Sequence, residues 1–177
     1  MIWPVPQSYS CFAPQSGEIG GFREDRGDRC HCGVDIYAPP GARVLAVANG
    51  NVVESGLFTS PEQIEYWNET FYLILQHNDL FIRYAELEDR VVSEGKIVTA
   101  GQLLGHVGQV LVPQRISERA PDYIRRLLKL NHLSMLHLEV YTGEPKKLEG
   151  YRGGNLLSSD KPSNFVDPAQ FLQFADG

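Results

Sequence analysis

Two histidines and one aspartate, widely separated in the chain, are the residues whose types could perform chemistry together. His31 and Asp35 share the stretch 31–36, and His137 follows much later in the chain, two residues before Glu139. Two imidazoles and a carboxylate are a ligand set for a divalent transition metal, and three protein ligands leave a fourth position open for water, as in catalytic zinc sites. By spacing alone, the same three residues could also form a buried hydrogen-bonded trio without a metal.

Other polar side chains flank these candidates. On an extended segment, Glu139 shares a face with His137, where it could orient a ligand imidazole or simply be a surface carboxylate. Cys30 and Cys32 flank His31, but in the same geometry both point away from it. The chain has only three cysteines. This sparse, odd set favours packed or surface thiols over a disulfide framework or a Cys/His metal site.

Short apolar stretches separated by turn residues must position these side chains. After thirty residues rich in proline, serine and glycine, this pattern predicts a mainly β fold of short strands. The predicted strands lie at 44–47, 51–54, 71–77, 80–85, 96–98, 103–107 and 135–141. One inserted helix is predicted over 117–130, with Pro121 in its first turn and charged residues facing solvent. The apolar residues at near-helical spacing are Ile116, Tyr123, Leu127, Leu128 and Leu130.

Composition excludes several classes of function. The chain has 177 residues, which suits a single domain, and its net charge is −6. No basic stripe is present, so nucleic acid is not expected as a partner. No apolar run approaches the roughly 20 residues of a membrane span, and the first residues do not form a signal peptide. We expect one domain over 1–177, with an irregular approach at 1–30, a β core carrying the site at 31–141, and a tail with a short helix at 142–177.

Five motifs in a fixed order give the chain a family resemblance from Trp3 to Pro168. The motifs lie at 31–41, 47–52, 84–87, 95–108 and 136–139. In this order they resemble the lysostaphin-type, or LytM-like, zinc metallopeptidases, which cleave peptide bridges in bacterial cell walls. The resemblance implies an antiparallel β-sandwich or flattened barrel of the duplicated hybrid motif type. It also implies one zinc ion on His31, Asp35 and His137, a peptidoglycan peptide as substrate, hydrolysis by metal-activated water, and a location in the cell envelope or outside the cell.

The sequence departs from the family pattern at two positions. Met135 stands where the family has the first histidine of its His-x-His motif, and Glu86 stands where it has the histidine that follows Tyr84. In the family these histidines help to activate water or to stabilise the developing oxyanion. Because residues two apart on a strand share a face, we expect Met135 beside His137, and Tyr84 and Glu86 together in the pocket.

Three residues are candidates for the missing chemistry. Glu86 could act as the general base. Tyr84 could donate to an oxyanion, or it could be a packed tyrosine. His132, at the end of the predicted helix, could fold over the site in place of the lost histidine, or it could be a solvated turn residue.

Two functions follow from these residues, and whether the chain is an enzyme stays open. The first is a zinc-dependent metalloendopeptidase of reduced activity. The second is a non-catalytic metal-binding or scaffold domain of the same fold. A third interpretation is a biotinyl or lipoyl carrier barrel, because residues 44–53 resemble residues 94–105 in their pattern of β-branched residues around a glycine turn. It is disfavoured because such a carrier displays a lysine on a tight hairpin, and Lys96 is not in such a context.

Overall fold

The computed structural model describes residues 1–145, 148–157 and 164–173. Within these residues the chain forms twelve β-strands, two α-helices and a short 3-10 helix at Pro113–Arg115. The strands are β1 (Cys30–His31), β2 (Val34–Tyr37), β3 (Arg43–Leu45), β4 (Gly50–Thr59), β5 (Thr70–His77), β6 (Leu80–Arg90), β7 (Ile97–Val98), β8 (Leu103–Val107), β9 (Met135–Thr142), β10 (Tyr151–Arg152), β11 (Asn155–Leu156) and β12 (Phe165–Val166). The α-helices are α1 (Asp122–Lys129) and α2 (Pro168–Gln173).

Antiparallel pairing joins the strands into two sheets. The larger sheet follows the order β12-β9-β6-β5-β4-β7, with β2 added on β9, and with β8 linking β6 to β3. The smaller sheet has the order β1-β11-β10 and brings the chain before β2 against a hairpin near the C-terminus. This mainly β, antiparallel architecture confirms the predicted fold class.

The register of the large sheet separates a core face from a polar face. Val34, Leu138, Tyr84 and Leu73 pair in one row across β2, β9, β6 and β5, and none of them is exposed. These residues belong to the main apolar core. Because side chains alternate along a strand, the neighbouring row points to the opposite face of the sheet. That opposite face carries the candidate site.

Helix α1 is shorter than the sequence predicted, since it covers 122–129 and not 117–130. Pro121 is extended and precedes the helix, so it is not in the first turn. A proline disfavours helical geometry in the residue before it, which explains why Ala120 stays outside the helix. Tyr123 and Leu127 of the predicted apolar face are buried, but Leu130 lies beyond the helix and is exposed. Among the described residues, no helix combines the length and the apolar character that a membrane crossing requires.

Candidate metal centre

Asp35 and His137 are brought together directly by strand register. They are cross-strand partners in the pairing of β2 with β9, and Ala85 on β6 is the next partner in the same row. Both side chains are almost fully buried. The Asp35 Oδ1 atom lies 2.9 Å from Nδ1 of His137.

His31 reaches the same point from the smaller sheet. Its Nε2 atom lies 3.1 Å from Nδ1 of His137 and 3.0 Å from Oδ1 of Asp35. Gly33 makes this approach possible, because a Cβ there would lie 2.3 Å from the Leu138 carbonyl oxygen and 3.0 Å from the His137 ring. The structure therefore places one donor atom from each of the three predicted ligands at a common point.

In both imidazoles, the ring nitrogen that points away from the common point faces a hydrogen-bond acceptor. His31 Nδ1 lies 2.9 Å from the Gly21 carbonyl oxygen, and His137 Nε2 lies 3.0 Å from Oε1 of Glu139. A carbonyl and a carboxylate can only accept, so each of these nitrogens carries the ring hydrogen. The two nitrogens that face each other and the Asp35 oxygen would then direct lone pairs at one another, so the arrangement requires a positive charge among them, either a proton on Nδ1 of His137 or a metal ion.

The donor set fits a zinc ion. Tetrahedral ligands at about 2.0–2.1 Å from zinc lie roughly 3.3 Å from one another, close to the spacing of these three atoms. Burial and the charge of Arg26 lower the pKa of His31, which keeps its imidazole in the neutral form that metals bind. Burial lowers the pKa of His137, but hydrogen bonds to Asp35 and Glu139 outweigh it and raise that pKa to about 10. Without a metal, the raised pKa favours a proton on Nδ1 of His137 that is donated to Asp35, and a bound zinc ion would take the place of that proton.

Glu139 holds His137 in the tautomer that a metal requires. Its carboxylate also accepts hydrogen bonds from the Tyr141 and Tyr151 hydroxyls, and it forms an ion pair with Arg83 at 2.9 Å. Burial would raise the pKa of Glu139, but the charge of Arg83, the contact with His137 and the Tyr141 hydrogen bond lower it to about 2. An ionised carboxylate therefore faces the far side of His137, in the orienting position predicted from the sequence.

A bulge in β6 directs Glu86 towards the site. Phe71 pairs with Leu87 while Tyr72 pairs with Ala85, so Glu86 is an extra residue without a partner on β5. Its φ of 64° lies in the left-handed region, which non-glycine residues rarely adopt. The residue sits where β6 exchanges β9 for β8 as its neighbour. The turn of the backbone brings Glu86 to the cavity beside Asp35 and His137.

The Glu86 carboxyl is buried and incompletely paired. Its Oε2 atom has no hydrogen-bond partner among the described residues. Burial, and then the negative charge of Asp35, raise the pKa of Glu86 to about 8. Such a carboxyl can hold or release a proton near neutral pH.

The cavity beside the three ligands is small. It has a volume of about 20 Å³ and is lined by Asp35, Glu86, Met135 and His137, with residues of helix α1 and Trp67 also in its wall. This space is enough for about one water molecule. Met135 lies in the cavity wall as expected, where its thioether can neither donate nor accept a proton. A peptide backbone does not fit.

Two of the predicted candidates lie away from this cavity. The expectation that Tyr84 shares the pocket with Glu86 is wrong: Tyr84 is in the main core, where its hydroxyl accepts the Val47 N–H at 2.9 Å. The bulge at Glu86 separates the two residues onto opposite faces. The structure also does not bring His132 into the cavity lining, and its ring stacks on Tyr37 with centroids 4.0 Å apart.

Arg26 is a residue of the site that sequence reasoning missed. Its guanidinium donates to Oδ2 of Asp35 at 2.6 Å, to Glu24 at 2.9 Å and to Asn155 at 3.1 Å. Burial would raise the pKa of Asp35, but His31 and Arg26 hold it well below its ordinary value. Because Arg26 takes Oδ2, only Oδ1 of Asp35 faces the imidazoles. The available signal was an arginine in the charged run 23–29, just before the first ligand.

Comparisons with known proteins agree with this fold. Residues 29–115 match the model of Peptidase family M23. The catalytic domain of the antimicrobial peptidase lysostaphin from Staphylococcus simulans is similar in structure, with 21% identity, a TM-score of 0.50 and coverage of 81% of this chain and 80% of that one. The structure of cbpa from L. salivarius REN is similar with 16% identity and a TM-score of 0.57, and the match covers 98% of this chain and 94% of that one. LytU is similar with 17% identity and a TM-score of 0.53, and the match covers 92% of this chain and 84% of that one. A search among curated proteins gives no match. These findings confirm the resemblance to lysostaphin-type peptidases.

Proposed function

We propose that the chain is a zinc-dependent metallopeptidase acting on cell-wall peptides, because residues 29–115 match the model of Peptidase family M23 and the lysostaphin catalytic domain is similar in structure. The convergence of one donor atom each from His31, Asp35 and His137 carries this proposal. When bound there, zinc would polarise a peptide carbonyl and lower the pKa of water to about 7.

Glu86 is the residue we assign as general base. Its unpaired Oε2 atom lines the cavity that has room for one water, so it can take a proton from that water. A pKa near the operating pH suits this transfer, because the same group must later give the proton to the leaving amine. Met135 gives no help at the oxyanion, and losing one oxyanion donor costs about 10²–10³ in rate. We therefore expect slow turnover.

The substrate class follows from the resemblance. We propose a cell-wall crosslink peptide containing glycine or alanine, and hence a site of action in the cell envelope or outside the cell. The metal content of the purified protein, measured by elemental analysis, tests the first half of the proposal. We expect one zinc per chain in the wild type and none in His137→Ala. His106→Ala is the matched control, because His106 lies on β8 and pairs with Asp89 at 2.9 Å.

Hydrolysis of synthetic crosslink peptides, with and without a chelator, tests the second half. We expect slow cleavage that the chelator abolishes and that Glu86→Gln removes. Glu86→His combined with Met135→His restores the family pattern and should raise the rate. No gain from this pair would show that the pocket serves another purpose.

A second function is favoured by the small volume of the cavity and by Met135. A non-catalytic domain that binds a metal to stabilise itself, and that acts as a scaffold, needs no substrate access. One zinc per chain with no cleavage of any crosslink peptide would support this second function and exclude the first.

A further inference from the structure

Helix α1 forms part of the cavity wall and packs apart from the main core. Tyr123, Ile124 and Leu127 of this helix line the cavity wall. These three residues pack with Trp67 and Met135 in a second apolar cluster, distinct from the main core. A segment that packs on its own small cluster can open without loss of the main core. The helix is therefore placed to control access to the metal centre.

One buried carboxylate connects helix α1 to a candidate metal ligand. Glu24 Oε1 pairs with Arg126 of helix α1, while Oε2 accepts the Arg26 Nε–H and the Gly20 N–H, each at 2.9 Å. Arg26 in turn contacts Asp35 at 2.6 Å and lies 4.9 Å from the centre of the Tyr123 ring. The path from Arg126 through Glu24 and Arg26 to Asp35 joins the helix to the site by charge-assisted hydrogen bonds.

We propose that helix α1 is a lid over the metal centre, held closed by Glu24 through its pairs with Arg126 and Arg26. This inference deepens the proposed function and rests on the metal site described above. Opening the lid would expose the ligands to solvent, and a peptide could enter only in that state.

The pairs of Glu24 with Arg126 and Arg26 are here called the latch. The latch can be weakened at Arg126, its exposed member. The Arg126 side chain is 42% exposed, so Arg126→Gln removes the lid's half of the latch without emptying a buried position. The Arg125 side chain is 44% exposed and pairs with Asp122 within the same helix. Arg125→Gln is therefore a matched control that loses an arginine from the same helix and leaves Glu24 untouched.

The rate at which an excess of chelator removes zinc reports lid opening. We expect Arg126→Gln to speed both zinc removal and zinc uptake, each by roughly fivefold, as for the loss of a partly exposed ion pair. The zinc affinity should stay the same, because a gate changes both rates by one factor. Arg125→Gln should match the wild type, and Arg126→Lys should fall between the two.

Three results would overturn the lid. They are unchanged rates in Arg126→Gln, a faster removal with a matching loss of affinity, or an equal acceleration in Arg125→Gln. Hydrogen exchange of the helix backbone amides in the metal-free protein gives a readout independent of the metal, and Arg126→Gln should speed it relative to Arg125→Gln. If the wild type binds no zinc, the proposed function fails, and the amide exchange still decides whether the latch exists.

Discussion

At the scale of single residues, the site is defined by what stands on the far side of each ligand. Gly21 accepts from His31, Glu139 accepts from His137, and Arg26 donates to Asp35. Each contact leaves one donor atom facing the common point. The ligand identities alone would not fix this arrangement, because each imidazole could otherwise present either nitrogen.

Replacing Glu139 tests this control of His137. We expect Glu139→Gln to weaken zinc binding by about 10–100-fold, because the amide holds the imidazole less firmly than a carboxylate does. Competition with a chromogenic chelator measures the affinity. Glu54→Gln is the control, since Glu54 also accepts a tyrosine hydroxyl, that of Tyr72, but is exposed and does not contact the histidines. An unchanged affinity in Glu139→Gln would show that the backbone alone orients His137.

Replacing Glu86 tests its burial through the pH dependence of stability. The native state holds the Glu86 proton more tightly than the unfolded chain does, since its pKa of about 8 lies above the ordinary 4.5. This raised pKa makes the native state less stable as the pH rises from 4.5 towards 8. Glu86→Gln carries no such charge, so the metal-free variant should be more stable than the wild type by about 2–4 kcal/mol at pH 8, and equal to it below pH 4.5.

Urea unfolding of the metal-free proteins across this pH range measures the difference. Glu88→Gln changes an exposed neighbour on the same strand, so it should track the wild type. If the difference in unfolding free energy between Glu86→Gln and the wild type did not vary with pH, the raised pKa of Glu86 would be contradicted.

The sequence predicted the three ligand positions but not the orientation of Tyr84 and Glu86. Strand periodicity places residues two apart on one face, and this holds for Met135 and His137. It fails at Glu86, because the register shift there depends on which residues of β5 pair with β6. Arg26 was missed for a related reason: it contacts Asp35, nine residues away, and Asn155, 129 residues away, and no strand or helix periodicity indicates either contact.

At the scale of elements, the hairpin formed by β10 and β11 packs closely against His137 of the candidate metal centre. Gly154 connects these strands with a φ of 74°, and a Cβ there would lie 2.5 Å from Cε1 and Nε2 of His137. Gly143 has almost the same φ, 75°, but a Cβ there meets nothing within 4 Å. The two glycines therefore share their backbone geometry and differ in their contact with the site.

Substituting each glycine by alanine separates the two effects. Both variants should lose about 1–2 kcal/mol of stability from the left-handed backbone. Only Gly154→Ala should also lose zinc affinity, because its methyl group displaces the His137 ring. Thermal unfolding and zinc titration measure the two quantities. Equal zinc affinity in both variants would mean that the hairpin can move away without disturbing the ligand.

At the scale of the whole molecule, a zinc ion at the candidate site would connect the two β-sheets. His31 belongs to the smaller sheet, while Asp35 and His137 belong to the larger one. Zinc bound to all three would cross-link the sheets and satisfy the facing lone pairs. The native state would then bind zinc far more tightly than the unfolded chain, so zinc should stabilise the fold.

Thermal unfolding with and without zinc tests this linkage. Free zinc at a thousand times its dissociation constant should add about 4 kcal/mol to the free energy of unfolding. For a domain of this size, that raises Tm by about 8–16 °C. An excess of chelator should reverse the shift, His137→Ala should show none, and His106→Ala should retain it. A shift that survives in His137→Ala would place the stabilising ion elsewhere, and the convergence of His31, Asp35 and His137 would then need a different explanation.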